Sequence, residues 1–215
     1  MQKIARYALL IAFTLGLTIG AHASRQLNPA DAAFVVEVER YLNAMRNISG
    51  EFTQVSSNGH TDAGRFFIRR PGRMRLEYES PMLLIADGES LVFHDQRLNQ
   101  ISFLPLSAQP AAVILQENAS FSDPGAGITI HEVRHHPDGR TSIVLGHEHS
   151  RQAGNMSLIF NTSPLSISGW RVRDAHGVTT DVTLHNIQES PTPLPDSLFR
   201  IQRRGAFGAG RTRFY

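Results

Sequence analysis

The residues best suited to chemistry crowd into one stretch: His131, His135-His136 and His147-Glu148-His149 place five imidazoles within residues 131–149. Imidazole nitrogens at that density can hold a metal ion. If the segment folds back at Pro137-Asp138-Gly139, His147 and His149 point the same way on one strand, and His135 lies across the turn. No acidic ligand pattern accompanies them, and histidines facing solvent around that turn are the simpler reading, so neither metal nor cofactor is expected. Covalent catalysis fares no better. The chain has no cysteine, which removes thiolate nucleophiles, disulfides and CxxC sites. No Gly-x-Ser-x-Gly motif occurs, and His131-Glu132-Val133-Arg134-His135, which has HExxH spacing, falls at the predicted strand 128–134 rather than on the helix that would bring both imidazoles to one metal ion. Glu77, Glu79 and Asp87 read as outward strand and turn positions, and Trp170 as packing. No enzymatic activity is expected.

Arginine remains. The 215 residues carry 21 basic and 19 acidic side chains. Lys3 and Arg6 lie in an N-terminal leader, so the rest balances at 19 of each sign, every cation an arginine. A chain so balanced does not bind nucleic acid through its overall charge. What matters is local: Arg65, Arg69, Arg70, Arg73 and Arg75 form one cluster, and Arg200, Arg203, Arg204, Arg211 and Arg213 another. The second is open between docking an anionic headgroup or acidic partner surface and being a solvated tail.

In Gly64 to Arg70, strict alternation puts Phe66, Ile68 and Arg70 on one face and Arg65, Phe67 and Arg69 on the other. Arg70 therefore shares the apolar face. Either the strand ends at Arg69, before Pro71, and Arg70 escapes to solvent, or its guanidinium projects over a hydrophobic concavity. There, always charged and carrying five donors, it must find acceptors. Backbone carbonyls at a helix end would serve, and the arginine would then latch that helix across the sheet.

The elements that would position these residues follow from periodicity. Pro29 to Met45 places Ala33, Phe34, Val36, Val38, Tyr41, Leu42 and Met45 at near-helical spacing, with Asn28 as N-cap. The period then falls to two. Strands are predicted at 50–56, 64–70, 74–79, 82–87, 90–94 and 100–104, then at 128–134, 141–146, 156–161, 167–174 and 178–187. A short apolar helix over Ser107 to Asn118 interrupts them, and Leu198 to Ile201 could add a last strand. About eleven strands with so little helix must curl on themselves or need a cover on one face. At the N-terminus, two cations, an apolar run of about 14 residues and Ala21-His22-Ala23 form a secretory leader. Residues 1–23 are expected to be cleaved off after Ala23, residues 24–204 to fold, and residues 205–215 to form a basic, Gly-rich tail.

The segment Phe66-Phe67-Ile68-Arg69-Arg70-Pro71-Gly72-Arg73-Met74-Arg75-Leu76-Glu77-Tyr78-Glu79-Ser80-Pro81, followed by Leu84 to Phe93, resembles the central signature of the LolA-type periplasmic outer-membrane lipoprotein carriers. Gly50 to Gln54 is similar to that family's first-strand motif, and Gln109 to Leu115 to its lid helix. The resemblance spans about residues 30–200. It implies a mainly β (α+β) fold: an unclosed antiparallel β-barrel with a helical lid over a hydrophobic concave face. It also implies a carrier that accepts acylated lipoproteins from an inner-membrane ABC transporter and delivers them to an outer-membrane receptor. The family's latch arginine, just before the proline of its Arg-Pro motif, maps onto Arg70. The receptor that shares this fold is anchored through a lipidated cysteine, which this chain lacks.

Alternation nominates Phe52, Phe66, Ile68, Met74, Leu76, Tyr78, Leu84, Leu91 and Phe93 for the cavity wall. Val38 and Leu42 of the first helix, with Pro110, Ile114 and Leu115 of the second, are the matching lid positions. The expected product is a monomeric periplasmic carrier. The alternative is a lipid- or lipoprotein-sensing module on the same scaffold, which would keep the cavity but not the partner surface.

Overall fold

The computed structural model describes residues 27–108, 112–121, 128–147 and 150–201. The leader, Pro110 with its two neighbours, His149 and the tail from residue 202 lie outside the described residues. The first half of the chain forms α1 (Pro29–Ala44), β1 (Asn47–Ser56), β2 (Thr61–Arg69), β3 (Arg73–Tyr78), β4 (Met82–Asp87), β5 (Ser90–Asp95) and β6 (Gln100–Pro105). A 3-10 turn (Leu106–Ala108) and α2 (Ala112–Leu115) follow. The second half forms β7 (Ile128–His135), β8 (Arg140–His147), β9 (Ser150–Thr162), β10 (Leu165–Arg173) and β11 (Thr179–Glu189), ending in a 3-10 turn (Asp196–Phe199).

All eleven strands join in one antiparallel sheet, in the order β6-β5-β4-β3-β2-β1-β11-β10-β9-β8-β7. Two meanders therefore step outward from a central pair of first and last strands, where Phe52 stands opposite Leu184. β6 and β7 are left as edges, so the sheet is not closed. The chain between them must travel from one edge to the other, and it carries α2 over the apolar face on the way. That routing puts a cover where the alternation of the strands demands one.

Two glycines let the central strands approach. Gly50 lies opposite Phe66 and Gly64 opposite Phe52. A Cβ on Gly64 would sit 2.0 Å from the Glu77 carbonyl oxygen, and one on Gly50 2.6 Å from that of His185. The facing phenyl rings cover the bare backbone.

Asn28 caps α1, its Oδ1 accepting from the Asp31 amide at 2.9 Å. The buried stripe of the helix is Val35, Val38 and Leu42. Val36, grouped with the apolar positions by sequence, is exposed, because 100° per residue turns it away from that stripe. Phe34 and Tyr41 pack edge-on against Phe160 of β9, each with centroids 6.3 Å apart.

Two further expectations are corrected. The predicted helix over Ser107 to Asn118 is, among the described residues, a 3-10 turn and a single α-turn. The carbonyls of Leu115 and Gln116, where another turn would grow, are taken by donors from the sheet. Leu198 to Ile201 forms no strand. Pro191, Pro193 and Pro195 supply no amide for a ladder, and the segment instead presses Phe199 onto Leu83 and Ile85 on the outer face.

Candidate functional site

The concave face and its lid form one apolar core. Phe52, Phe66, Ile68, Met74 and Leu76 of the sheet are buried against Val38 and Leu42 of α1 and Ile114 and Leu115 of α2. Leu84 and Leu91 belong to the same cluster nearer its rim. Tyr78 is partly buried, edge-on to Phe52 at 5.0 Å, and its hydroxyl donates to Gln54 at 3.0 Å. Burial, with Asp62 nearby, pushes the Tyr78 phenol up to about 12. Phe93 departs from the set. It shares the face through its pairing with Leu84, yet is 36% exposed because it lies at the outer end, beyond the cover of the lid.

The nominated positions fell in residues 52–93, whereas the second meander supplies as much of the wall. Ile143 and Leu145 of β8, and Met156, Leu158 and Phe160 of β9, alternate onto the core at near-zero exposure. Period-two spacing in those segments was the available signal.

β2 ends at Arg69, so the strand boundary is the one that would free Arg70. The side chain nevertheless stays in, at 4% exposure. Its Nη2 donates to the carbonyl oxygen of Gln116, immediately after α2, and to Asn43 Oδ1 of α1 at 3.2 Å. Nη1 makes a long contact of 3.5 Å to the Met45 carbonyl at the C-terminal end of α1. One guanidinium thus serves the carbonyl ends of both helices, where an extended chain leaves orphan acceptors. The Gly72 amide donates to the Leu115 carbonyl at 2.7 Å, a second bond from the same turn of the sheet. Burial, and then repulsion from Arg46, lowers the Arg70 pKa to about 10.

Residues not nominated from sequence complete the tie. Asn43 Oδ1 also accepts from the Ala119 amide at 2.7 Å, and its Nδ2 donates to the Ala119 carbonyl at 3.1 Å. Glu39 accepts from the Phe121 amide at 2.6 Å. Glu39 and Asn43 are four apart, hence on one side of α1 beside its buried stripe; that spacing was the readable sign.

His131, His135 and His136 are drawn into separate contacts. His135 reaches Asp31 at 2.9 Å and Thr141 at 3.0 Å, His136 reaches Ser142 at 3.0 Å, and His131 packs over Gly146. No group of three or more metal-ligating side chains stands among the described residues.

The family model described as outer membrane lipoprotein carrier protein LolA matches residues 43–202. The chain belongs to the LolA family. An outer-membrane lipoprotein carrier protein of Cupriavidus taiwanensis is 29% identical over 190 residues, covering 80% of this chain and 85% of that one. A Cupriavidus necator protein of the same name is 27% identical over 192 residues, covering 80% and 85%. One from Chromobacterium violaceum is 32% identical over 111 residues, 47% of this chain and 54% of the relative. A crystal structure of a LolA superfamily protein from Nitrosomonas europaea aligns with TM-score 0.43 at 12% identity, over 77% of this chain and 97% of that one; so loose a likeness carries no functional weight. The LolA family match begins at Asn43, the helix residue that touches Arg70, and takes in every sheet position nominated for the cavity.

Proposed function

We propose that this chain is a periplasmic carrier of acylated lipoproteins. It is exported by residues 1–23, which are cleaved off after Ala23. It is loaded by an inner-membrane ABC transporter and unloads to an outer-membrane receptor. Residues 24–204 do the carrying, and residues 205–215 form an appended basic tail. No chemical step is needed.

The observation that carries this reading is a continuous apolar face covered by helices that a few polar bonds tie down. Each buried methylene is worth roughly 0.8 kcal/mol, so long acyl chains need such a face in transit. Acyl chains entering beneath the lid replace the apolar contacts of Ile114, Leu115 and Leu42 with equivalent ones. The hydrogen bonds of Arg70 have no such replacement, and bonds to a charged donor are worth roughly 1.5–3 kcal/mol each. Arg70 therefore acts as the latch, making reclosure compete with retention so that the load leaves without an energy source. Phe52, Phe66, Ile68, Met74, Leu76, Tyr78, Leu84 and Leu91 then form the acyl-binding wall, with Phe93 at its mouth.

Depletion in the native host tests the reading. Lipoproteins destined for the outer membrane should accumulate in the inner membrane, as seen by density-gradient fractionation. Normal sorting after depletion would overturn it.

A further inference from the structure

A cavity of about 650 Å³ opens behind the lid, between the C-terminal end of α1 and the turn that leaves β11. Its wall contains Arg46, Arg69 and Arg70 against a single carboxylate, Glu189. Arg69 is committed elsewhere, to Asp196 and the Leu194 carbonyl. Arg70 bonds only neutral acceptors of the lid, and no ion pair among the described residues involves Arg46, Arg70 or Glu189.

The backbone sets residues 46 and 70 opposite each other. The Arg70 amide donates to the Arg46 carbonyl at 2.8 Å, continuing the ladder one step past the Asn47 and Arg69 pair. Like charges at opposed positions repel, and here the repulsion is strong enough to help depress the Arg70 pKa. Arg70 also keeps one donor unused. Its Nε is buried and has no acceptor among the described residues, which is costly for a charged donor.

We propose that this cavity is an oxyanion site for a phosphate group, held between Arg46 and Arg70. Two arginines lining one cavity match the charge of a dianion, and planar forks suit phosphate oxygens. The phosphate comes either as the free ion or as the headgroup of a phosphomonoester lipid. Because Arg70 lines the site while it bonds the lid, an occupant removes the repulsion that works against the closed arrangement. By linkage, phosphate and acyl chains disfavour one another. That consequence rests on the carrier reading; the anion site itself does not.

The test uses the mature protein with arginine Nε–H groups followed by NMR. Inorganic phosphate is titrated against chloride at constant ionic strength. The expected result is a saturable shift of the Arg70 Nε–H signal, with affinity reduced about ten-fold or more in Arg46→Gln, an exposed and structurally mild change. No saturable shift, or equal binding by Arg46→Gln, would overturn the site. A second arm reads the affinity of a fluorescent acyl probe. Phosphate should weaken it in the wild type and not in Arg46→Gln; a phosphate effect equal in both overturns the coupling. If the carrier reading alone is wrong, the acyl arm fails while the Nε–H titration stands. Flotation with phosphatidylcholine vesicles with and without phosphatidic acid distinguishes the sources. Retention that needs phosphatidic acid and Arg46 supports a headgroup, and phosphate binding without vesicle retention supports the free ion.

Discussion

Arg69 and Arg70 stand at the end of one strand, face opposite sides of the sheet, and each ties down a cover. On the outer face, Arg69 is paired with the Asp196 carboxylate, bonds the Leu194 carbonyl and lies 5.1 Å from the centre of the Phe199 ring. Arg75 adds a 2.9 Å bond to the Leu198 carbonyl. On the inner face, Arg70 has only neutral acceptors, and its nearest charged neighbour across the ladder is another arginine. The outer cover is the continuation of β11, a few residues long and pinned by a charge pair. The inner cover spans the gap between two sheet edges and is held by uncharged acceptors. On the proposed carrier reading, a cover of the first kind belongs to the fold and one of the second kind is exchanged for a ligand.

The sharpest way to break this contrast is to damage each cover at its centre. Phe199→Ala should cost about 3–5 kcal/mol in urea denaturation, since the ring is fully buried, yet leave acyl-probe affinity per folded molecule unchanged. Arg70→Leu should do the reverse. Stability changes less, while the purified protein carries more copurifying acyl material by mass spectrometry. Its transfer of lipoprotein to the receptor should slow about ten-fold or more, as expected when one or two bonds of roughly 1.5–3 kcal/mol are lost from the closed state. Normal transfer by that variant would break the comparison.

Asn43→Ala sharpens it. It removes one acceptor of Arg70 and the clamp on Ala119, so retention should shift the same way by about 1 kcal/mol, read as probe affinity. The smallest effect belongs to Asp196→Asn, with stability close to wild type and no consequence for transfer, because the carboxylate is exposed to solvent. Its pH dependence has a definite sign. The Arg69 guanidinium holds the Asp196 carboxyl below its usual 3.8, so the pair's contribution is complete above that value and fades as pH falls through the lowered one. An acid titration of stability should lose that step in Asp196→Asn.

Much of this architecture was legible because period-two alternation assigns faces residue by residue. Phe66, Ile68, Met74 and Leu76 read directly as one wall, and Arg70 stood out as the charge among them. What escaped has a common cause. Alternation says which side Arg70 is on but not which carbonyls meet it, since Gln116 lies 46 residues away along the chain. Asn43 and Glu39 looked like ordinary surface of an amphipathic helix until the Ala119 to Phe121 segment came to rest on them. The brevity of α2 followed from carbonyls claimed by the sheet, a tertiary effect that local propensity does not contain. Phe93 shows the converse limit: its face is correct, but burial depends on how far the lid reaches.

Arg70 is proposed to hold a cover made to open, whereas Arg69 holds one made to stay. Hydrogen exchange on the mature protein and its Arg70→Leu variant tests this directly, comparing amides of residues 112–121 with those of 194–199. Protection should fall in the first segment of Arg70→Leu and stay unchanged in the second. Unchanged protection of residues 112–121, or equal loss in both segments, would contradict it.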